Sequence, residues 1–246
     1  MNKNFKRQLT FLVLTSIVVF SIILSINYLN KKEASLDKLN IDSIYFYGDS
    51  ITFGMGSSDG NDFATKTAEY FDVVKYNLSV SSQRVSNYHY TNNFRDAVSK
   101  VVPEKGLKKS ILIIAFGTND ARLANPFLES PDNTPELYYS QFQGCLDVIL
   151  KKGWLRSEIV FITPFYGTET DLATYKTDRK HYEEYVKKTK TLAKINHIAL
   201  FDAYDYMRIN GGKSLISSDN IHPNDKGHEV ISEGLIAFLD KIINVK

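Results

Sequence analysis

The front of the chain is one long apolar run; behind it, hydrophobic and polar positions settle into two alternating rhythms. Leu9 to Leu29 carries no charge and is dominated by Leu, Ile, Val and Phe. At ~1.5 Å per helical residue it is long enough to cross a ~30 Å hydrocarbon layer. A basic head, Met1–Arg7, precedes it, and Lys31, Lys32 and Glu33 stop it. No Ala-x-Ala-like site closes the run, so it reads as an uncleaved signal-anchor and not as a signal peptide. Positive charge at the head puts that end in the cytoplasm and the rest outside. The expected organisation is a cytoplasmic head and transmembrane anchor over 1–29, a polar tether over 30–42, and one folded domain over 43–246.

Past the tether, short apolar runs alternate with segments of helical spacing. Ile44–Tyr47, Val73–Tyr76, Ile111–Phe116, Ile159–Thr163 and Ile198–Phe201 read as strands. Asp62–Phe71, Asn92–Val102, Leu137–Lys152, Tyr182–Ile195 and Gly227–Ile243 read as helices, with Pro103 and Gly153 as stops. Apolar strands separated by helices predict an α/β domain whose parallel sheet is covered on both faces. In open sheets of this kind, ligands bind beyond the carboxyl ends of the strands. Three predicted strand ends carry small polar clusters: Gly48-Asp49-Ser50, Asn77–Gln83 and Gly117-Thr118-Asn119-Asp120. A fourth, Ser218–Asn224, precedes the last helix. A parallel sheet opens all four at one edge.

Composition narrows the chemistry. A net charge of +2 without a basic stripe interleaved with aromatics excludes a nucleic-acid partner. The single cysteine, Cys145, excludes an internal disulfide and a cysteine-based zinc site, and its helical setting suits core packing. His89, His181, His197 and His228 have no metal-ligand spacing, so no cofactor is expected. Tyrosine and phenylalanine, at 15 each, exceed what one core holds, so some should line surfaces or a cleft.

Ser50 stands at a strand end, where a hydroxyl can act as a nucleophile or simply cap the next helix. Asp219 and His222 are three apart, a spacing that sets a carboxylate against one imidazole nitrogen and leaves the other for Ser50. Pro223 holds His222 extended. Asn119 offers a side-chain amide to a developing oxyanion, or closes an Asx-turn. Gly117 permits a sharp turn there, and the Ser50 N–H is a further donor.

These blocks closely resemble those of the SGNH (GDSL-type) hydrolases: Gly48-Asp49-Ser50, Gly117-Thr118-Asn119-Asp120 and Asp219-x-x-His222-Pro223, in order and spacing across the soluble part of the chain. The resemblance implies a three-layer, flavodoxin-like fold with five parallel strands. It implies Ser50 as nucleophile, His222 as base and Asp219 as the group that orients it. It implies an oxyanion hole from the Ser50 N–H, a second-block glycine N–H and the Asn119 amide. Members deacylate esters and thioesters of small alcohols, lipids and sugars. The second block departs from the usual Asn-x-Gly-x-Ser-Gly: here it is Asn77-Leu78-Ser79-Val80-Ser81-Ser82. A backbone N–H survives at Ser82, but a serine there raises the cost of any positive φ.

Two loops, Arg122–Pro135 and Phe165–His181, should frame the cleft. Tyr88, Tyr90, Tyr138, Tyr166 and Tyr175 are candidates for stacking on a sugar or gripping an apolar chain. Arg84 and Arg122, beside the blocks, are candidates for an anionic group. Asp49, Gly117, Arg84, Arg122 and Tyr166 form the candidate substrate-facing set. The expectation is a membrane-anchored extracytoplasmic serine esterase that removes an acyl, most plausibly acetyl, group from an acylated small molecule or glycan. Alternatives are an O-acyltransferase on an envelope glycan, a non-catalytic envelope protein of the same fold, and a lipase or lysophospholipase.

Overall fold

The computed structural model describes residues 41–86, 94–122 and 134–243. The predicted anchor over 1–29, nearly all of the tether, Tyr88, His89, Tyr90 and most of the Arg122–Pro135 loop lie outside the described residues. Among the described residues, no helix is long and apolar enough to cross a membrane.

Five parallel strands form one sheet: β1 (Ser43–Gly48), β2 (Val74–Asn77), β3 (Ser110–Ala115), β4 (Ile159–Ile162) and β5 (Ala199–Phe201). Their order is β2-β1-β3-β4-β5, the flavodoxin-like order, in which the chain reverses direction of travel between β1 and β3. Central β3 is buried along its whole length. Leu112 and Ile114 join a core cluster with Tyr47, Phe161, Phe142 and Tyr185. Ile113 and Ala115, buried too, point to the opposite face by the two-residue period of a strand. Both faces are therefore covered, which is why the strand reads as a continuous apolar run. Edge strand β2 differs: Val74 and Tyr76 are exposed and alternate with half-buried neighbours, because a strand at the sheet margin has less to bury.

The long helices follow the predicted segments: α2 (Phe63–Phe71), α3 (Phe94–Val101), α5 (Pro135–Lys151), α7 (Arg179–Asn196) and α9 (Asp225–Ile243). Side-chain caps fix several starts. Asp62 accepts from Thr65 N at 2.8 Å, Thr134 from Leu137 N at 3.1 Å and Asp178 from His181 N at 2.7 Å. The prediction passed over four short helices: α1 (Ser50–Phe53), α4 (Thr118–Arg122), α6 (Glu169–Thr174) and α8 (Ala203–Ile209). One or two turns carry too little periodicity to be read as helix. Three of them belong to the loops that surround Ser50.

Candidate active site

Ser50 is the first residue of α1, directly after β1. Asp49 caps that helix, its Oδ1 accepting from Ile51 N at 3.0 Å, and Gly54 closes it with φ +112°. The hydroxyl of Ser50 thus sits at the carboxyl edge of the sheet. The turn that carries Asp219 and His222 comes from the far end of the chain, between a 3₁₀ turn (Gly212–Leu215) and α9. His222 Nε2 lies 2.9 Å from Ser50 Oγ. His222 Nδ1 lies 2.6 Å from Asp219 Oδ2. The other carboxylate oxygen, Asp219 Oδ1, accepts from Ser217 Oγ at 2.7 Å, Ile221 N at 2.9 Å and His222 N at 3.0 Å. Partial burial works against the charge, but these hydrogen bonds outweigh it and hold the Asp219 carboxyl well below the usual carboxylate range. An ionised acceptor fixes the imidazole tautomer, with hydrogen on Nδ1 and a lone pair on Nε2 facing the serine.

Chain segments around the turn leave it little freedom. Gly56, at φ +92°, lies against it: a Cβ there would come within 2.3 Å of Pro223 O and 2.8 Å of His222 Cβ. Asp225, at the start of α9, holds Ser58 through its N–H at 2.6 Å and its hydroxyl at 2.9 Å. His228 is fully buried, stacks on Phe63, and binds Phe63 N–H through Nδ1 at 3.3 Å and Met55 O through Nε2 at 3.1 Å. Burial pushes its pKa below the ordinary histidine value. It is a structural histidine that ties α9 to the α1–α2 loop.

On the other flank, α4 brings Asn119 to the same edge. Its Nδ2 donates to Gln83 O at 3.2 Å, which leaves the second amide hydrogen available. The turn before α4 needs glycine at 117. Its φ is +111°, and a Cβ would meet Tyr138 Oη at 2.6 Å and Pro164 Cγ at 2.8 Å. Asp120 is wholly buried and accepts from Val85 N at 3.1 Å and Ser86 N at 2.7 Å. Desolvation raises its pKa against those hydrogen bonds and the charge of Arg84. Asp120 therefore anchors the chain just after the second block. Ser82 is exposed and has φ +63°, the left-handed conformation in which a serine is strained. Among the described residues no acceptor pairs with the N–H of Ser50 or Ser82.

The candidate substrate-facing set separates. Asp49 is 1 % exposed and lies beneath α1, where burial pushes its carboxyl up to about 7 and leaves Oδ2 without a hydrogen-bond partner. It shapes the helix that carries Ser50 and does not face a ligand. Arg122 is buried as well. Its guanidinium grips Asp171 at 2.8 and 2.6 Å and lies 4.3 Å from the centre of the Tyr175 ring. It is therefore an internal brace between α4 and α6 and not a receptor for an anion. Tyr138 is a core residue whose hydroxyl shares a hydrogen with Thr189 at 2.7 Å. Tyr166 is half-buried against Arg179 and Tyr204. Arg84 is half-buried near Asp120.

The sequence matches the model of the GDSL-like lipase/acylhydrolase family over residues 46–230. The chain belongs to that family. The expected resemblance to this family is thus shown over residues 46–230. A relative in Bacillus subtilis (strain 168), the uncharacterized protein YpmR, is 26% identical over 212 residues, 79% of this chain and 80% of its own. A lipase/acylhydrolase from Enterococcus faecalis shares the fold with a TM-score of 0.62 at 17% identity, covering 82% of this chain and 96% of its own. The acetyl xylan esterase AlAXEase shares it with a TM-score of 0.59 at 15% identity, covering 79% and 98%. Members of the GDSL-like family are carboxylic ester hydrolases of the esterase and lipase type.

Proposed function

We propose that the protein is a serine esterase that works through an acyl-enzyme on Ser50. The observation that carries this reading is the unbroken relay from Ser50 Oγ to His222 Nε2 at 2.9 Å and from His222 Nδ1 to Asp219 at 2.6 Å. Ser50 Oγ attacks the ester carbonyl while His222 Nε2 takes its proton. Asp219 stays ionised and steadies the imidazolium that forms. The carbonyl oxygen becomes an oxyanion and is met by the Ser50 N–H, the Ser82 N–H and the Asn119 amide. Collapse expels the alcohol, which takes the proton from His222. Water then enters and attacks the acyl carbonyl as it gives a proton to His222; collapse releases the acid, and His222 returns the proton to Ser50 Oγ.

The substrate that fits best is an acetyl ester on a carbohydrate. Support comes from the half-buried tyrosines of the 165–178 segment, Tyr166 and Tyr175, and from the named activity of the structural neighbour AlAXEase. The charge-free apolar run Leu9–Leu29, read from the sequence as an anchor, supports a site outside the cytoplasm, at the membrane surface. The full chain in mild detergent should hydrolyse p-nitrophenyl acetate, and Ser50→Ala should lower kcat by at least about 10⁴-fold. Turnover by the alanine variant equal to that of the wild type rejects Ser50 as the nucleophile. Rates that rise steadily with acyl length, instead of falling beyond acetyl, replace the acetyl reading with a lipase.

A further inference from the structure

One peptide group in the acid–base turn is held at both ends. The Asn220–Ile221 peptide donates its N–H to Asp219 Oδ1 at 2.9 Å. Its carbonyl, Asn220 O, accepts from Thr168 Oγ1 at 2.9 Å. Asn220 has φ +67°, the left-handed region that asparagine enters more readily than most residues with a Cβ. An unpinned peptide at that point is free to rotate, taking its N–H away from the carboxylate. Thr168 is itself fixed. It is 1 % exposed, and its oxygen also accepts from Asp171 N at 3.1 Å, capping α6. The carboxylate of Asp171 in turn holds Arg122 on α4, three residues past Asn119. The turn with the acid and base and the helix with the amide donor are therefore braced against the same short helix.

Resting on the reading of Ser50, His222 and Asp219 just given, we propose that Thr168 is a positioning residue that aims Asp219 at His222 through the Asn220–Ile221 peptide. A hydrogen bond to the carbonyl polarises the peptide and strengthens what its N–H gives to Asp219. The catalytic consequence is orientation: a carboxylate that drifts supports the imidazolium less well during proton transfer.

The test compares Thr168→Val, which keeps the shape and loses the hydroxyl, with Thr168→Ser, which keeps both hydrogen bonds. Asp178→Ala serves as a control: it removes the cap of α7, a helix with no hydrogen bond to the 219–222 turn among the described residues. Expected for Thr168→Val is a fall in kcat on p-nitrophenyl acetate of about tenfold with KM held. The acidic limb of its kcat/KM profile should move to lower pH, because the imidazolium has lost support. His228, the other imidazole whose charge reaches His222, is unchanged in every variant. Thr168→Ser should restore both values, and Asp178→Ala should lower Tm without moving the limb. Should the valine variant fail to fold, Thr168→Asn keeps a capping acceptor for Asp171 N while moving the donor off Asn220 O, and it must show the same limb shift. A valine or asparagine variant with the wild-type kcat and limb, or with a lowered Tm alone, overturns the proposal. Ser50→Ala in the same assay separates the two ideas. If it is inactive while Thr168→Val is normal, only this inference falls; if it is fully active, the underlying reading falls with it.

Discussion

To one side of Ser50, the 217–224 turn is tied in from several directions. Ser217 N bonds to His222 O at 2.8 Å, Asn220 N to Ser217 O at 3.0 Å and Asn224 N to Leu215 O at 2.9 Å. The side chain of Asn224 adds bonds to Ser214 O and to Gly227 N. To the other side, the 79–83 segment rests on fewer. Val80 N reaches Gly48 O at 3.0 Å and Ser79 N reaches Asn77 Oδ1 at 3.1 Å. Ser79 Oγ and Gln83 Oε1 are buried without a hydrogen-bond partner, Val80 is 49 % exposed and Ser82 is strained. An unpaired buried polar atom costs on the order of 1–3 kcal/mol, and a serine at positive φ about 1–2 kcal/mol. The proposed acid and base are thus set before any ligand arrives. The segment with the proposed backbone donor holds a strained residue and unpaired buried polar atoms. Preorganisation matters most for charge that develops in the transition state, so the second flank is where this chain departs from an optimised enzyme.

The largest test bears on the well-tied flank. Asp219→Asn should lower kcat by about 10⁴-fold, since an amide cannot hold the imidazole tautomer as a carboxylate does. The same variant carries a stability signature. A carboxyl held below its unfolded pKa stabilises the fold above the unfolded value, and that contribution disappears as the pH falls through the folded value. Asp219→Asn should therefore unfold with a shallower acid dependence, measured as Tm against pH between 5 and 2. On the looser flank, Asn119→Ala should lower kcat by about 10²–10³-fold, the usual weight of one oxyanion donor, with little change in KM. A loss at Asn119 as deep as that at Asp219 breaks the comparison, because it would show both flanks equally prepared.

Much of this site was legible in the sequence because the blocks are short and local. Gly48-Asp49-Ser50 announces a strand end, and Asp219-x-x-His222 places a carboxylate and an imidazole on one turn without help from the rest of the fold. The strands were legible for a related reason: Ile111–Phe116 is apolar on both faces, and the observed β3 is buried throughout. What stayed hidden depends on partners far apart in the chain. Nothing near Arg122 signals Asp171, so a buried ion pair reads as a surface charge. Asp49 reads as a substrate-facing candidate beside Ser50, although the structure buries it and sets it to capping α1. Thr168 looks like any threonine before a short acidic segment, since its partner is a backbone carbonyl with no sequence signature. Gly56 carries no signal of its own in the sequence, and only the approach of Pro223 and His222 explains it.

The smallest and sharpest test is Ser82→Gly, which restores the residue usual at that place in the family's second block. Relief of the left-handed strain gains about 1–2 kcal/mol. The greater freedom of glycine in the unfolded chain returns about 0.4–1 kcal/mol of that. The net expectation is a stabilisation of roughly 0.5–1 kcal/mol, read as a modest rise in Tm. Ser82→Ala keeps the Cβ, hence the strain, and should show no such rise. The N–H donor is present in all three proteins, so a gain in kcat for the glycine variant, absent in the alanine variant, isolates backbone strain as what limits the oxyanion flank. If serine, alanine and glycine give the same kcat and the same Tm, the left-handed backbone at 82 costs nothing, and the contrast between the flanks rests on their unpaired polar atoms alone.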